Sequence, residues 1–297
     1  MRKGTPQVTR FFCKGIVSTV LLLLGLACLS LPTEASASED DLGLIEPGDL
    51  AMKSAGWAIL DGRPRAEWTK GRLPGAHSFS WEDYTRTDRE GVPYRIWHPH
   101  ELAKVLGEMG IDEKTPVVVY GDADTSWGGE GWAVWTLAWL GHRGPVRLLD
   151  GGVQGWKAAG LSLEEGSGGD ARPAATYRVT LREDLNISTA DLEKGLDGVT
   201  LIDTRSYWEW FKGHLPGAVH IPWTDLFTGK ENRPLSPRAY RALLAEKGVP
   251  TGRPAVFYCT GGIRSGYGWT VHRLSGLEGG RNYEGSTEAW ERLSSDR

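Results

Sequence analysis

The chain has 297 residues, of which 40% are hydrophobic and 24% charged, and its formal net charge is −4 at pH 7. A chain of this length can form one large domain or two of moderate size. The acidic balance argues against nucleic acid and anionic membranes as partners, because binding to either depends on clustered basic residues.

The first 37 residues have the three regions of a secretory signal. Four basic residues precede an apolar run from Ile16 to Leu31, and Ala35-Ser36-Ala37 offers a small-residue cleavage site. We therefore predict that residues 1–37 are a signal peptide and that the mature protein is exported, to the periplasm or the medium, without stable membrane insertion. Retention as an anchor is an alternative, although the run is short for a span. Lipid attachment through Cys28 is a minor one.

Cleavage would change both the charge and the cysteine content. It would remove four of the 34 basic residues and one of the 38 acidic ones, leaving a net charge near −7. It would also remove Cys13 and Cys28, so that Cys259 alone would remain and no intramolecular disulfide could form. In an oxidising compartment a lone thiol is a liability unless the protein uses its reactivity. A sealed, inert cysteine is the alternative.

The rest of the sequence contains an internal repeat. Three groups of residues in the first half have similar counterparts in the second half, at offsets of 142, 138 and 134 residues, as expected if the second copy has small loop deletions. The groups are Asp61-Gly62-Arg63 with Leu73-Pro74-Gly75-Ala76 and Trp81, Val118-Val119-Tyr120-Gly121, and Leu149-Asp150-Gly151-Gly152 with Trp156. We predict two copies of one domain, at 50–164 and 191–295. A linker at 165–190 would join them, because Gly- and Pro-rich sequence lies between them.

Both copies predict the same order of elements. In the first, a strand ends at Asp61, a helix runs from Pro99 to Gly110, a strand ends at Tyr120 and a helix covers 130–140. The second copy has strands ending at Asp203 and Tyr258 and a helix from Pro237 to Gly248. Alternating strands and helices predict an α/β fold in which each copy is a mostly parallel sheet flanked by helices. Ligands of such sheets bind beyond the carboxyl ends of the strands.

Some prominent residues are predicted to be structural. Tryptophans at helical spacing, or at matched positions in the two copies, are expected to pack in the core. Asp-x-Arg occurs in both copies, so a structural role is expected for it as well. These residues are Trp132, Trp135, Trp139, Trp81, Trp223, Trp156, Trp290, Asp61, Arg63, Asp203 and Arg205.

The candidate site is the loop that comes after the apolar strand of the second copy. Cys259 ends that strand, and Thr260-Gly261-Gly262-Ile263-Arg264-Ser265 leads into a helix predicted from about Ser265 to Leu274. A loop that closes onto a helix N-terminus directs its amides inward and favours an anion. With a nearby cation, this lowers a thiol pKa from roughly 8.5 towards neutrality. We predict that Cys259 is the catalytic nucleophile and that the six residues from Thr260 to Ser265 bind the substrate.

Two kinds of role are considered for the polar loop residues. Arg264 is the best local cation for an anionic substrate, because its planar fork matches oxyanion geometry; a salt bridge that holds the loop is the alternative. Thr260 and Ser265 are predicted either to donate hydrogen bonds to the group bound in the loop or to cap the helix, with capping favoured for Ser265.

Taken together, these motifs resemble the tandem-domain rhodanese (thiosulfate sulfurtransferase-like) family over nearly all of the predicted mature chain. The resemblance rests on Asp-x-Arg followed by the 213–218 motif Gly-His-Leu-Pro-Gly-Ala, on the cysteine loop, and on Tyr-Glu-Gly-Ser at 283–286 with Trp290. Two positions depart from the family pattern, Trp210 and Thr287, and neither lies in the loop.

The resemblance implies two tandem rhodanese-like domains and persulfide chemistry. Cys259 would take the outer sulfur of a small anionic donor such as thiosulfate and pass it to a thiol or cyanide acceptor. The second domain would be catalytic. The first would be inactive, because it has Gly121 in place of the cysteine, followed by Asp122 and Asp124, which would repel an anion. It would therefore serve as a scaffold or as a wall of the active cleft.

Other functions remain as alternatives. A non-catalytic sulfur carrier or binding module would use Cys259 without turnover. A cysteine phosphatase or arsenate reductase is less favoured, because such enzymes place five residues between Cys and Arg, whereas four stand here. A thiol oxidoreductase would lack a resolving cysteine. We predict no metal, because His98 and His100 have no partner ligands, and no organic cofactor, because a glycine-rich phosphate loop is missing. The sequence does not choose among donors, acceptors or oligomeric states.

Overall fold

The computed structural model describes residues 41–295 except 167, 170, 196 and 197, with side chains described up to residue 292. The predicted signal peptide, residues 1–37, lies outside the described residues. None of the helices in the described part of the chain has the length and hydropathy that crossing a bilayer requires.

The first domain is a five-stranded parallel sheet with helices on both faces. Its elements are β1 (Leu42–Ile45), α1 (Pro47–Lys53), β2 (Ala58–Asp61), α2 (Arg65–Lys70), β3 (His77–Ser78), α3 (Trp81–Tyr84), β4 (Thr85–Arg86), β5 (Arg95–Ile96), α4 (Pro99–Glu108), β6 (Val117–Tyr120), α5 (Gly129–Trp139), β7 (Val146–Leu149) and α6 (Gly152–Ala158). The strand order is β1-β7-β6-β2-β3, and β4 and β5 form a separate antiparallel hairpin. Strands β2 and β6 are buried throughout, as expected of parallel strands covered on both faces.

The second domain repeats this plan with a four-stranded parallel sheet. Its elements are α7 (Thr189–Glu193), β8 (Thr200–Asp203), α8 (Tyr207–Lys212), β9 (Val219–His220), β10 (Phe227–Thr228), β11 (Arg233–Pro234), α9 (Pro237–Glu246), β12 (Ala255–Tyr258), α10 (Ile263–Leu274), β13 (Arg281–Asn282) and α11 (Ser286–Ser295). The strand order is β13-β12-β8-β9. Tyr258 pairs with Asp203 in the second sheet, just as Tyr120 pairs with Asp61 in the first. The predicted α/β fold with two related parallel sheets is confirmed.

Helix boundaries differ from the predicted ones by one or two residues, because glycines with positive φ angles begin or end the helices. Helices α4 and α9 end two residues before Gly110 and Gly248, whose φ angles of 74° and 70° reverse the chain after the helix. Helix α10 begins at Ile263, two residues earlier than expected. Gly262 has a φ of 87° and turns the chain into the helix directly after the loop.

The two domains share one continuous hydrophobic core centred on α5 and α10. These helices approach closely at glycines: a Cβ on Gly131 would lie 2.3 Å from Cα of Tyr267, and one on Gly266 would lie 2.9 Å from Cα of Trp132. Trp132 and Trp135 are fully buried beside this contact, and Trp139 stacks on Trp135 with ring centroids 5.5 Å apart. The tryptophans at helical spacing therefore pack in the core, as expected.

The described residues between 165 and 182 form no helix or strand, yet they pack against the first domain. The amides of Ala175, Thr180 and Arg182 donate to backbone carbonyls of α4 and of the end of α5. Tyr177 is buried and stacks on His142. The segment between the two domains thus has its own fixed path along the surface of the first.

Candidate active site

The candidate nucleophile lies at the carboxyl edge of the second sheet. Strand β12 ends at Tyr258, and Cys259 comes directly after it with only 1% of its surface exposed. Its backbone amide donates to the Ser286 hydroxyl at 3.0 Å, which fixes the start of the loop to the first residue of α11. The thiol therefore lies where parallel α/β sheets bind their ligands.

Two hydrogen-bond donors at the N-terminus of α10 point at the sulfur. The Gly262 amide lies 3.2 Å from Sγ and the Ser265 hydroxyl 3.6 Å from it; the Ser286 hydroxyl is 4.0 Å away. Burial raises the pKa of the Cys259 thiol. The positive charge of Arg264 and the hydrogen bonds from Ser265 and the loop amides outweigh burial, so the pKa is lowered overall. The loop is therefore built to hold a thiolate.

Arg264 is bound to a carboxylate from another element. Its two terminal nitrogens each donate to one oxygen of Glu209, both at 2.7 Å, and Nη2 also donates to the Thr260 hydroxyl at 2.6 Å. Thr260 in turn donates to Glu209 at 2.9 Å. The guanidinium and nearby hydrogen bonds hold the pKa of Glu209 far below its ordinary value despite its partial burial. Of the two roles considered for Arg264, the structure displays the salt bridge that holds the loop.

The position of Glu209 has a local cause. Ser206 caps α8 by accepting from the Glu209 amide, and the Glu209 side chain accepts from the Ser206 amide at 3.0 Å, which forms a capping box. This fixes the Glu209 carboxylate on the side of α8 that meets the loop, where Arg264 reaches it.

A pocket of about 390 Å³ opens above the thiol and is lined by both domains. The second domain contributes Cys259, Thr260, Gly261, Ile263, Arg264 and Glu209; the first contributes Trp81, Glu82, Tyr94 and Trp127. Gly262 and Ser265 lie behind the sulfur instead, as hydrogen-bond donors. Trp81 packs against the hydrophobic core, as expected of a structural residue, and it also lines this pocket.

The first domain reaches the loop through the segment that ends in β5. Tyr94 has a φ of 62° and lies so close to Gly261 that a Cβ on that glycine would be 2.4 Å from Tyr94 Cβ. Positive φ is costly for a residue with a bulky side chain, so the surrounding structure must hold it there. Next to it, Arg95 pairs with the buried Glu284 at 3.0 Å, and the Ile96 amide donates to the same carboxylate at 2.8 Å. These contacts attach the segment to the Tyr-Glu-Gly-Ser motif.

The equivalent position in the first domain is filled by a carboxyl group. A Cβ on Gly121 would lie 2.2 Å from an oxygen of Glu130, which accepts from the Ser126 hydroxyl at 2.7 Å. Burial raises the pKa of Glu130 to about 7, although the hydrogen bond from Ser126 opposes this. No room remains there for a cysteine side chain.

The repeated Asp-x-Arg pairs are alike in the two domains. Arg63 bonds to Asp61 and to the Gly71 carbonyl, and Arg205 bonds to Asp203 and to the Gly213 carbonyl in the same way. All four charged residues are buried behind the loops. Their arrangement fits the structural role expected of them.

One prediction about the loop is wrong. Ser265 does not cap α10, because Gly262 starts the helix and leaves Ser265 as its third residue, with its hydroxyl directed at the sulfur. Sequence reasoning also missed Glu209 and Ser286. A wall of the cleft was one of the two roles considered for the first domain, and Trp81, Glu82, Tyr94 and Trp127 form such a wall. Glu209 recurs as Glu67 and Ser286 corresponds to Gly152, so the repeat contained a signal for both. In the described residues, no three His, Cys, Asp or Glu side chains converge as they would to hold a metal ion.

The fold and the site define a class: a two-domain α/β protein with a cysteine at the N-terminus of a helix, between a sheet edge and an aromatic wall. The family model described as "Rhodanese-like domain" matches residues 49–159 and 188–293. The chain belongs to the rhodanese family.

Similar proteins cover most of this chain. A Pseudomonas aeruginosa protein named "Probable 3-mercaptopyruvate sulfurtransferase" is 32% identical over 83% of this chain and 90% of its own. The "Sulfur carrier protein TtuD" of Thermus thermophilus is 30% identical over 75% of this chain and 83% of its own. The crystal structure of a 3-mercaptopyruvate sulfotransferase from Escherichia coli is 22% identical, with a TM-score of 0.72 over 82% of this chain and 98% of that one; it shows the shared fold.

Proposed function

We propose that this protein is a sulfurtransferase that moves sulfane sulfur from thiosulfate, or a similar donor, to a thiophilic acceptor through a persulfide on Cys259. The observation that carries the proposal is the setting of the thiol. Its sulfur lies 3.2 Å from the Gly262 amide and 3.6 Å from the Ser265 hydroxyl, at a helix N-terminus and in the lining of a pocket. Relatives named for sulfur transfer and sulfur carriage support this reaction class.

The reaction would proceed in two displacements at sulfur. The Cys259 thiolate attacks the outer sulfur of thiosulfate, the S–S bond of the donor breaks, and sulfite leaves with the electron pair. An acceptor thiolate or cyanide then attacks the outer sulfur of the persulfide, and Cys259 leaves as thiolate. Both forms of the enzyme carry one negative charge on sulfur, which the Gly262 amide and the Ser265 hydroxyl stabilise.

Each residue of the loop would have a part in this. Gly261 and Gly262 allow the backbone to close around the sulfur, and Ile263 lines the pocket. Thr260 and Arg264 hold the loop to Glu209 while the Arg264 charge favours the thiolate. The first domain, 50–164, would supply no reacting group and would form one wall of the pocket. The second, 191–295, would perform the chemistry, and the 165–190 segment would join the two.

We also propose that the protein is exported after removal of residues 1–37, on the strength of the sequence pattern alone. In the mature chain Cys259 would be the sole cysteine, so an oxidising compartment could not consume it in an internal disulfide.

The test is an intact-mass measurement of the mature protein after exposure to thiosulfate. We expect a gain of one sulfur atom, absent in Cys259→Ala, and steady sulfite release when cyanide is supplied. An unchanged mass in the unsubstituted protein would contradict the proposal. Sulfur gain without turnover would leave a carrier, and Cys259-dependent hydrolysis of p-nitrophenyl phosphate would favour a phosphatase.

A further inference from the structure

We propose that the sulfur acceptor is a small thiol that carries a cationic group, such as an ammonium, bound between the carboxylates and the aromatic rings above Cys259. This inference rests on the proposed persulfide and names the class of molecule that discharges it. The pocket volume of about 390 Å³ suits a small molecule.

The charges that line the pocket carry the first step of the argument. Its described lining contains two carboxylates, Glu82 and Glu209, and one guanidinium, that of Arg264. Both terminal nitrogens of Arg264 are bound to Glu209, so these two charges cancel. With the persulfide anion on Cys259, the lining carries two net negative charges. Such a lining favours a cationic acceptor over an anionic one of the same size.

The aromatic lining carries the second step. Trp81, Tyr94 and Trp127 form the wall contributed by the first domain, and Trp127 is half exposed. Aromatic faces attract cations within about 6 Å of the ring centre. One of these rings, that of Trp127, already acts in this way towards the protein's own cation, because the Arg264 guanidinium lies 5.6 Å from its centroid. The exposed surface of Trp127 and Tyr94 is available to a ligand.

The pocket is also formed in advance. Tyr94 is held at a φ of 62° against Gly261, and its ring meets that of Trp81 edge to face, with centroids 6.0 Å apart. Because the aromatic walls are already fixed, ligand binding costs little conformational entropy. We therefore expect the charge preference of the pocket to appear in the rate at which each thiol discharges the persulfide.

The transfer balances without any further reactant. The acceptor thiolate attacks the outer sulfur of the Cys259 persulfide, a new S–S bond forms on the acceptor, and the bond to Sγ of Cys259 breaks. Cys259 leaves as thiolate with the electron pair, and the acceptor departs as a persulfide anion. No net oxidation or reduction takes place.

The experiment compares three acceptors of similar size on the preloaded enzyme. Cysteamine carries an ammonium group, mercaptoethanol is neutral, and mercaptoacetate carries a carboxylate. Loss of the Cys259 persulfide is followed in single turnover by quenched intact mass, and each rate is divided by the fraction of thiol that is ionised. We expect cysteamine to discharge the persulfide roughly tenfold or more faster than mercaptoacetate, with mercaptoethanol between them.

Variants locate the preference in the pocket. We expect Glu82→Gln and Trp127→Leu each to reduce the cysteamine-to-mercaptoacetate ratio by about threefold. The matched controls Glu67→Gln and Trp208→Leu change an exposed glutamate and an exposed tryptophan that do not line the pocket, and they should keep the ratio.

The outcomes separate this inference from the proposed function. Equal ionisation-corrected rates, or faster discharge by mercaptoacetate, would overturn the inference while leaving the persulfide mechanism in place. The same holds if the pocket variants keep the ratio unchanged. A protein that gains no sulfur from thiosulfate would overturn the mechanism itself, before any acceptor is compared.

Discussion

The two domains share the register of their central strands and differ in the loops at the ends of those strands. In the second domain Cys259 lies against the amide end of α10, with its thiol pKa lowered. In the first domain Gly121 stands at that position, and the buried Glu130 carboxyl fills the space a side chain would need.

The helices show how small the difference is. Gly128 and Gly262 are the N-cap residues of α5 and α10, so Glu130 and Arg264 are each the second residue of their helix. The second domain has the cation Arg264 at this helix position and the thiol of Cys259 in the loop. The first domain has the carboxyl group of Glu130 at the same helix position, and Gly121 takes the place of the cysteine. The loop at each helix N-terminus therefore holds one acidic group of the protein itself: the Cys259 thiol, whose pKa is lowered, in the second domain, and the Glu130 carboxyl, whose pKa burial raises to about 7, in the first.

The largest expected effects come from substituting Cys259 and its counterpart Gly121, the residues that directly follow strands β12 and β6. Cys259→Ser should lower sulfur transfer by at least about 1000-fold, because an un-ionised hydroxyl cannot form the persulfide. Gly121→Cys should gain no second sulfur beyond the one on Cys259 and should destabilise the protein by about 1–3 kcal/mol, because its side chain collides with Glu130. Sulfite release and denaturant unfolding measure the two effects.

The collision has its own control. The double variant Gly121→Cys with Glu130→Ala should recover most of the lost stability, because the truncated side chain leaves space for the thiol. If Gly121→Cys alone is as stable as the parent protein, Glu130 does not fill the position as described.

The second prediction uses the pKa of Glu130, raised to about 7 by burial. The folded protein then keeps a proton that the unfolded chain releases near its ordinary value of 4.5. The contribution of Glu130 to the free energy of unfolding therefore falls as the pH rises from about 4.5 to 7, and it is constant above that range. Glu130→Gln should remove this loss, so its advantage over the parent should grow by up to about 3 kcal/mol between pH 5 and pH 8. Denaturant unfolding at each pH measures it, and an advantage independent of pH would contradict it.

The third prediction compares Glu209 with Glu67, its counterpart in the repeat. Glu209 holds Arg264 and keeps 35% of its side chain exposed, whereas Glu67 pairs with Lys70 on the surface. Glu209→Gln should cost about 1–2 kcal/mol, discounted for that exposure, and Glu67→Gln less than about 0.5 kcal/mol. Glu209→Gln should also lower the KM for thiosulfate, because the charge of Arg264 is no longer cancelled. Equal effects at the two positions would refute the comparison.

The smallest effect is expected at Ser286, which corresponds to Gly152. Both residues have a φ of 50°, but only Ser286 carries a hydroxyl that accepts from the Cys259 amide. Ser286→Gly keeps the backbone relaxed and removes the hydroxyl, so the transfer rate should fall roughly three- to tenfold. Ser286→Ala should be about 1 kcal/mol less stable than Ser286→Gly, because alanine keeps the Cβ that is disfavoured at this φ. Thiosulfate assays and thermal unfolding distinguish the two variants.

The repeat in the sequence made the fold predictable, because strand ends, helix starts and the cysteine loop are local patterns that occur twice. Ser265 was misjudged, because a serine near a helix start usually caps it, whereas the positive φ of Gly262 began this helix earlier. The pairing of Glu209 with Arg264, the filling of the first loop by Glu130 and the pocket wall from the first domain depend on how distant segments meet. Those contacts are not encoded in any single motif.

Tyr94 places an aromatic ring of the first domain, which has no thiol at the matching position, in the pocket above Cys259. On the proposed mechanism, substitutions among the first-domain rings of this pocket would change which acceptors react, while Cys259 in the second domain stayed the same. A chimera that takes its first domain from a related chain should accordingly show the acceptor preference of that chain, with the cysteine loop unchanged.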